Sequence, residues 1–124
     1  MQDEDIISGT LVNTNSLSTT SQSVLAGNTE LGQTLYQARC SACHSPDFNG
    51  VGPAHRGVFG RAAGQAKGFN YSDALKGAHV IWDEVMLDRW LADPEKLAPG
   101  QRMGVSVPSS EERADIIEYL KHLR

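Results

Sequence analysis

The sequence predicts an all-α domain, because apolar residues recur at helical spacing in three segments and no segment has a strong strand pattern. These segments lie at about 29–39, 83–93, and from Ser109 or Ser110 to the end of the chain. Residues 45–70 are rich in Gly and Pro and are predicted to form loops. The length of 124 residues suits a single domain.

Residues at the predicted helix ends support these assignments. Asn28 is a suitable N-cap for the first helix, and Pro94 ends the second because proline cannot continue a helix. A short helix is predicted over 72–75, and the Ser-Ser-Glu-Glu run at 109–112 has the chemistry of an N-terminus. The apolar positions of the three main helices are Leu31, Leu35 and Tyr36, then Val85, Leu87, Trp90 and Leu91, and finally Ile116, Ile117 and Leu120.

Residues 1–27 are predicted to be a flexible tail or linker that precedes a domain at 28–124. The segment is rich in Ser, Thr and Asn and lacks a regular apolar period. The alternative is an arm that packs on the domain or a partner through its scattered apolar residues, which are Ile6, Ile7, Leu11, Val12, Val24 and Leu25. Its sequence shows no signal peptide, so we expect a mature form with its leader removed.

The charge distribution argues against nucleic-acid binding. The net charge is −4, from 11 Lys and Arg against 15 Asp and Glu. Three of the acids lie in residues 1–27, so the predicted domain carries 12 acids and 11 bases and is nearly neutral. A nucleic-acid interface needs a concentrated basic face. No segment is apolar enough to predict a membrane span.

The segment Cys40-Ser41-Ala42-Cys43-His44 predicts covalent attachment of one c-type haem. Two thiols three positions apart on one helical turn can reach the same haem edge, and His44 can then ligate the iron. A redox dithiol would not require the adjacent histidine. A zinc site would need about two further ligands at finger-like spacing, and the chain has no second cysteine pair.

Met103 is the predicted second axial ligand. It follows Pro99 and Gly100 in a segment that suits a tight, non-helical path. A Met/His pair fills both axial positions and favours electron transfer over ligand chemistry. Met86 lies within a predicted helix and is expected to fill the core. His55 and His79 are weaker candidates for the iron, and His122 is expected at the surface.

Several further motifs show that the chain resembles class I cytochrome c over about residues 31–123. They are Gly52-Pro53, the 57–61 segment Gly-Val-Phe-Gly-Arg, the 69–74 segment Phe-Asn-Tyr-Ser-Asp-Ala, Trp82, and the 99–103 segment Pro-Gly-Gln-Arg-Met. The resemblance implies three main helices and several short ones wrapped around one haem. It also implies that Gly32 allows the first and last helices to approach closely.

The resemblance implies roles for several residues around the haem. The Pro53 carbonyl would accept a hydrogen bond from the His44 ring. Tyr71 and Trp82 would donate to a haem propionate, and Arg61 would offset its charge. Trp90 and Leu75 replace polar residues that the family often has near the methionine, so this pocket is expected to be more apolar. A drier site disfavours the ferric charge and raises the potential.

The predicted function is that of a single-haem electron carrier, not an enzyme, working in a respiratory chain. Its redox partners would dock transiently at the haem edge, through Ala42 and Val105 with Arg39, Arg56 and Arg102 at the rim. Lys67 and Lys96 are further basic candidates near this edge. The alternatives are a dedicated haem subunit or electron acceptor of a periplasmic dehydrogenase or oxidase, and a haem enzyme or sensor with an open sixth site. We expect a monomer in the bacterial periplasm, or alternatively in the mitochondrial intermembrane space.

Overall fold

The computed structural model describes residues 26–124. This part of the chain contains five helices, which are α1 (Thr29–Arg39), α2 (Asp73–Lys76), α3 (Glu84–Ala92), α4 (Pro94–Leu97) and α5 (Ser110–His122). Its β pairing is a single antiparallel bridge between Ala62 and Ile81. The predicted all-α fold is confirmed. The tail prediction for residues 1–27 falls almost entirely outside the described residues, so the division into tail and domain stays a prediction.

Short polar side chains set the start of every one of these helices. Asn28 accepts a hydrogen bond from the Leu31 N–H at 2.9 Å, as an N-cap does. Ser72, Asp83 and Ser109 cap α2, α3 and α5 in the same way, so each helix begins one residue after its cap. The helices at 72–75 and 83–93 were therefore predicted to within about one residue of their observed ends.

Helix α4 was not predicted. Asp93 ends α3 and at the same time caps α4, whose first residue is Pro94. A proline at this position lacks only an N–H that would have no partner within the helix, and its fixed φ suits the first turn. The proline therefore stops one helix and starts the next.

Helices α1 and α5 cross at very close range. A Cβ atom on Gly32 would overlap the carbonyl oxygen of Asp115, so only glycine allows this approach. The Asn28 N–H donates to the Asp115 carboxylate at 2.9 Å, and the Tyr36 and Tyr119 rings pack with centroids 5.1 Å apart. Gly27 also lies directly against the Ala114 carbonyl of α5. The predicted close approach at Gly32 is confirmed.

The core lies between this crossing and α3. Ile116 and Ile117 of α5 and Leu87 and Trp90 of α3 are all buried in one apolar cluster. The predicted apolar faces were too wide, because Leu31 and Val85 are 56% and 45% exposed. Loop residues complete the packing through backbone hydrogen bonds of 2.7 Å, which are Gly57 N–H to Leu123 O, Gly60 N–H to Trp82 O and Val107 N–H to Leu91 O.

Candidate haem site

The two cysteines lie on one turn at the end of α1. The Cys40 N–H donates to the Tyr36 carbonyl, and the Cys43 and His44 N–H groups both donate to the Cys40 carbonyl. Cys40 is half-buried and Cys43 is exposed. Within residues 26–124, no three His, Cys, Asp or Glu side chains gather as a metal site would require. The turn therefore suits thioether attachment and offers nothing further to a zinc ion.

The loop around Gly52 and Pro53 lies directly against the His44 ring. Its Nδ1 donates to the Pro53 carbonyl at 2.9 Å, because a carbonyl oxygen can only accept. A Cβ atom on Gly52 would overlap the ring, so the loop backbone passes directly beside it. Burial lowers the pKa of His44, against the raising effect of the Pro53 bond. The ring is thus neutral at neutral pH, and Nε2 keeps the lone pair that a metal needs.

His55 lies against His44, which the sequence did not predict. The two rings stack with centroids 4.0 Å apart and planes at 19°. His55 Nδ1 and the Tyr36 hydroxyl form a hydrogen bond of 2.9 Å. Burial, helped by the neighbouring His44 and Arg61, lowers the pKa of His55 to about 3. No local pattern in a Gly- and Pro-rich loop separates a buried histidine from an exposed one, so the contact could be found only from the fold.

Two polar donors, on Tyr71 and Arg61, have no acceptor within residues 26–124. The buried Tyr71 hydroxyl accepts from the Ala66 N–H at 3.0 Å, which leaves its own proton free to donate. Two nitrogens of Arg61 bind the carbonyls of Ala54 and Arg56, but Nε is buried with no partner among the described residues. A buried donor without a partner is costly. A carboxylate at this place would satisfy it.

The segment that carries Met103 is clamped by a carboxylate. Glu95 of α4 accepts from the Gly100 N–H at 2.7 Å and from the Gln101 side-chain amide at 3.0 Å. These two donors lower the pKa of Glu95. Met103 itself is half-buried against the core. The clamp fixes Gly100 and Gln101, which lie three and two positions before Met103.

Trp90 and Leu75, which the resemblance places near the methionine ligand, belong to the same apolar core as Met103. Trp90 is buried and packs against Trp82 with ring centroids 5.6 Å apart, and Leu75 is half-buried against the same core. Met86 also packs there, from within α3, as expected of a core residue. His79 and His122 are exposed. Cys40, Trp82, Trp90 and Met103 all belong to this one packed region.

These residues fit a haem c, which has two thioether links, an apolar body and acidic side chains. The cysteine turn, the oriented His44 and the buried donors define the class as a helical domain for a covalently held haem. The sequence model for cytochrome c matches residues 29–124. No helix in the described part of the chain is both long enough and apolar enough to cross a membrane.

Known proteins are similar to this chain in sequence and in fold. Cytochrome c of Euglena viridis is 38% identical over 101 residues, which cover 79% of this chain and 99% of that protein. Cytochrome c2 of Rhodoblastus acidophilus is 40% identical over 103 residues, covering 80% and 95%. The solved structure of cytochrome cH from Methylobacterium extorquens superposes with a TM-score of 0.74 at 43% identity, covering 77% of this chain and 98% of that one.

The chain belongs to the cytochrome c family. It binds one haem c, attached covalently through Cys40 and Cys43. Its function is that of a haem electron carrier, not of an enzyme that transforms a substrate.

Proposed function

We propose that the protein carries single electrons between redox proteins, with His44 and Met103 as the two axial ligands of its haem iron. The hydrogen bond from His44 to Pro53 carries this proposal, because it holds Nδ1 and leaves Nε2 as the free ligand atom. The half-buried Met103 on a clamped segment supports the second position. Filled axial positions keep small molecules from the iron and leave electron transfer as its chemistry.

The protein's own side chains would hold the haem and adjust its potential. When bound, the haem supplies the one-electron change at iron. The Tyr71 hydroxyl, the Trp82 indole and the Arg61 guanidinium are suited to a propionate, since Arg61 Nε and the Tyr71 proton are not used elsewhere in residues 26–124. Trp90 and Leu75 make the methionine side of the pocket apolar. An apolar pocket disfavours the added charge of the ferric state and raises the potential.

Partners would dock where the cysteine turn and the Met103 segment reach the surface. Val105 is 47% exposed, and the loop directly after the cysteine turn presents Phe48 and Val51 at 74% and 78% exposure. Ala42 is exposed on the cysteine turn itself. Such a surface suits a small, short-lived contact with an apolar centre, as a carrier requires.

Steering by charge should be weak, because two of the three arginines expected at the rim are paired with carboxylates. Arg39 pairs with Glu112 at 2.6 Å, and Arg56 pairs with Asp47 at the same distance. Within the described residues, Arg102 binds only the Asn70 carbonyl. Of the three arginines predicted at the rim, it is the one that forms no ion pair with a carboxylate in this part of the chain. We therefore assign Arg102 the main steering role among the three.

Electron exchange with small reagents tests this docking surface. The reagents are anionic ferricyanide, reacting with the ferrous protein, and a cationic cobalt(III) phenanthroline complex. We expect both rates to change by less than about threefold between low and physiological ionic strength, whereas steering by a strong field changes association rates tenfold or more. Arg102→Glu should slow ferricyanide.

Arg89→Glu is the matched control, because it makes the same change in net charge at an exposed position of α3. Lys121 is unsuitable, since it pairs with both Glu84 and Glu118 at 3.3 Å and a reversal would disturb the fold. Equal slowing by the Arg102 and Arg89 variants would mean that only overall charge matters, and the proposed surface would be wrong.

We propose the bacterial periplasm as the compartment and a monomer as the working form. The relatives include bacterial cytochrome c2 and eukaryotic cytochrome c, which leaves the mitochondrial intermembrane space as the alternative. Fractionation of the native cells, with sedimentation analysis of the purified protein, tests both statements.

Breaking the Glu95 clamp should make the iron easier to reach. Glu95→Ala removes both acceptors from the Gly100 N–H and the Gln101 amide, so the segment before Met103 opens more often. We expect imidazole to bind the ferric protein several times faster, as followed by stopped-flow absorbance. Because the clamp lowers the pKa of Glu95, its effect in the wild type is present at neutral pH and is lost as the pH falls through that lowered value.

Glu111→Gln serves as the control, because this exposed acid lies in the first turn of α5 and makes no contact with the Met103 segment among the described hydrogen bonds. Imidazole binding at the wild-type rate in Glu95→Ala would show that the clamp does not hold the segment closed.

A further inference from the structure

We propose that His55, held by Tyr36, is a positioning residue that fixes the plane of the His44 ring. The inference rests on the proposed function, since it concerns the ring that we assign as an iron ligand. Neither residue belongs to the cysteine turn, to the propionate donors or to the Met103 segment. The role comes from a stacked pair of rings and a partly buried hydrogen bond.

A single hydrogen bond does not determine the orientation of an imidazole ring. The Pro53 carbonyl fixes the direction of Nδ1, but the ring can still turn about the line that joins Nδ1 to that oxygen. His55 removes this freedom, because it lies face-on to His44 with centroids 4.0 Å apart and planes at 19°. Rotation of His44 would drive its edge into the His55 face. The two contacts together define a plane.

His55 can act as a support because it is itself held from two sides. Its backbone N–H donates to the Ser45 carbonyl at 3.0 Å, which ties it to the residue after His44. Its Nδ1 shares a hydrogen bond of 2.9 Å with the Tyr36 hydroxyl. Tyr36 is 2% exposed and has Tyr119 on its other side, at the crossing of α1 and α5. The close crossing of α1 and α5 thus reaches His44 through two side chains, Tyr36 and His55.

The polar character of this pair needs an explanation, because an aliphatic pair would fill the same space without burying polar groups. A buried hydrogen bond contributes little net stability but restricts geometry strongly, since leaving either partner unpaired is costly. The pair of Tyr36 and His55 is therefore suited to holding the His44 ring in one plane. A leucine at position 55 would fill the space but would leave the His44 ring free to rock.

The haem-methyl proton shifts of the ferric holoprotein provide the test, because their order and spread depend on the plane of the axial imidazole. We expect Tyr36→Phe and His55→Leu to change this pattern and to broaden the low-spin EPR signal, while His44 stays bound. His55→Phe restores a flat face without the hydrogen bond and should give a smaller change than His55→Leu. The reduction potential should likewise change less in His55→Phe than in His55→Leu.

Tyr119→Phe is the matched control, because it removes a hydroxyl from the other ring beside Tyr36 and leaves the bond between Tyr36 and His55 intact. Its methyl pattern should equal that of the wild type. Wild-type patterns in both Tyr36→Phe and His55→Leu would overturn the inference. A wild-type protein without a low-spin ferric signal would instead contradict the proposed axial ligation, so the two failures are distinguishable.

Discussion

Replacing Gly32 with alanine should destabilise the folded holoprotein by about 3 kcal/mol, which is the upper end of what overpacking usually costs. The added methyl group would overlap the Asp115 carbonyl, and this neighbour is backbone that cannot turn aside. Helices α1 and α5 would have to separate. Because Cys40 directly follows the last residue of α1, the separation would also shift the cysteine turn.

The direction of this effect makes the measurement decisive. Alanine stabilises an isolated helix by roughly 1 kcal/mol relative to glycine, so helix propensity alone predicts a more stable protein. Denaturant unfolding of the ferric holoprotein compares the variants. Gln33→Ala, at the exposed neighbouring position on α1, should leave stability nearly unchanged. A gain in stability from Gly32→Ala would show that the two helices do not meet as closely as described.

Replacing Met103 with alanine should open the sixth coordination position. The weak far-red absorption band of a ferric haem–thioether bond should disappear, and cyanide and carbon monoxide should bind readily. The potential should fall by on the order of 0.2 V, a fraction of the roughly 0.8 V over which axial ligands set haem potentials. Absorption spectra and a redox titration give all three quantities.

Met86→Ala is the control for this variant, since Met86 is a half-buried core residue of α3 with the same side chain. It should lower stability by about 2 kcal/mol or more through the cavity it leaves, while the far-red band remains. Loss of the band in Met86→Ala and its survival in Met103→Ala would reverse the ligand assignment.

The helices were predictable because their determinants are local. Asn28, Asp83 and Ser109 cap the three main helices through bonds to N–H groups three positions on. The exposure of Leu31 and Val85 was not predictable, because helical spacing marks a face but not how far the neighbouring elements extend over it. Helix α4 was missed because Pro94 suits both the end of one helix and the start of another.

The candidate site also contains some features with local determinants and others that depend on the fold. The cysteine turn and His44 form a local motif, and the resemblance supplied Pro53, whose carbonyl does accept from the His44 ring. The Glu95 clamp and the His55 stack had no sequence signal, because they join residues that only the fold brings together. The ion pairs of Arg39 with Glu112 and of Arg56 with Asp47 had no sequence signal for the same reason.

Arg39 shows why such an ion pair cannot be read from the sequence. A sequence displays its charge, but the partner Glu112 lies on α5 and becomes a neighbour only when that helix crosses α1. A composition count treats both charges as free. Half-exposed pairs of this kind contribute little to stability, yet they remove a charge from long-range steering.

The central claim, axial ligation by His44 and Met103, is tested most directly by the proton NMR spectrum of the ferrous protein labelled at its methionine methyl groups. The chain has three methionines, Met1, Met86 and Met103. We predict that one methyl resonance lies far upfield, in the ring current of the haem, and that it disappears in Met103→Leu. Three methyl resonances at ordinary positions, or an upfield resonance that disappears in Met86→Leu instead, would contradict the account.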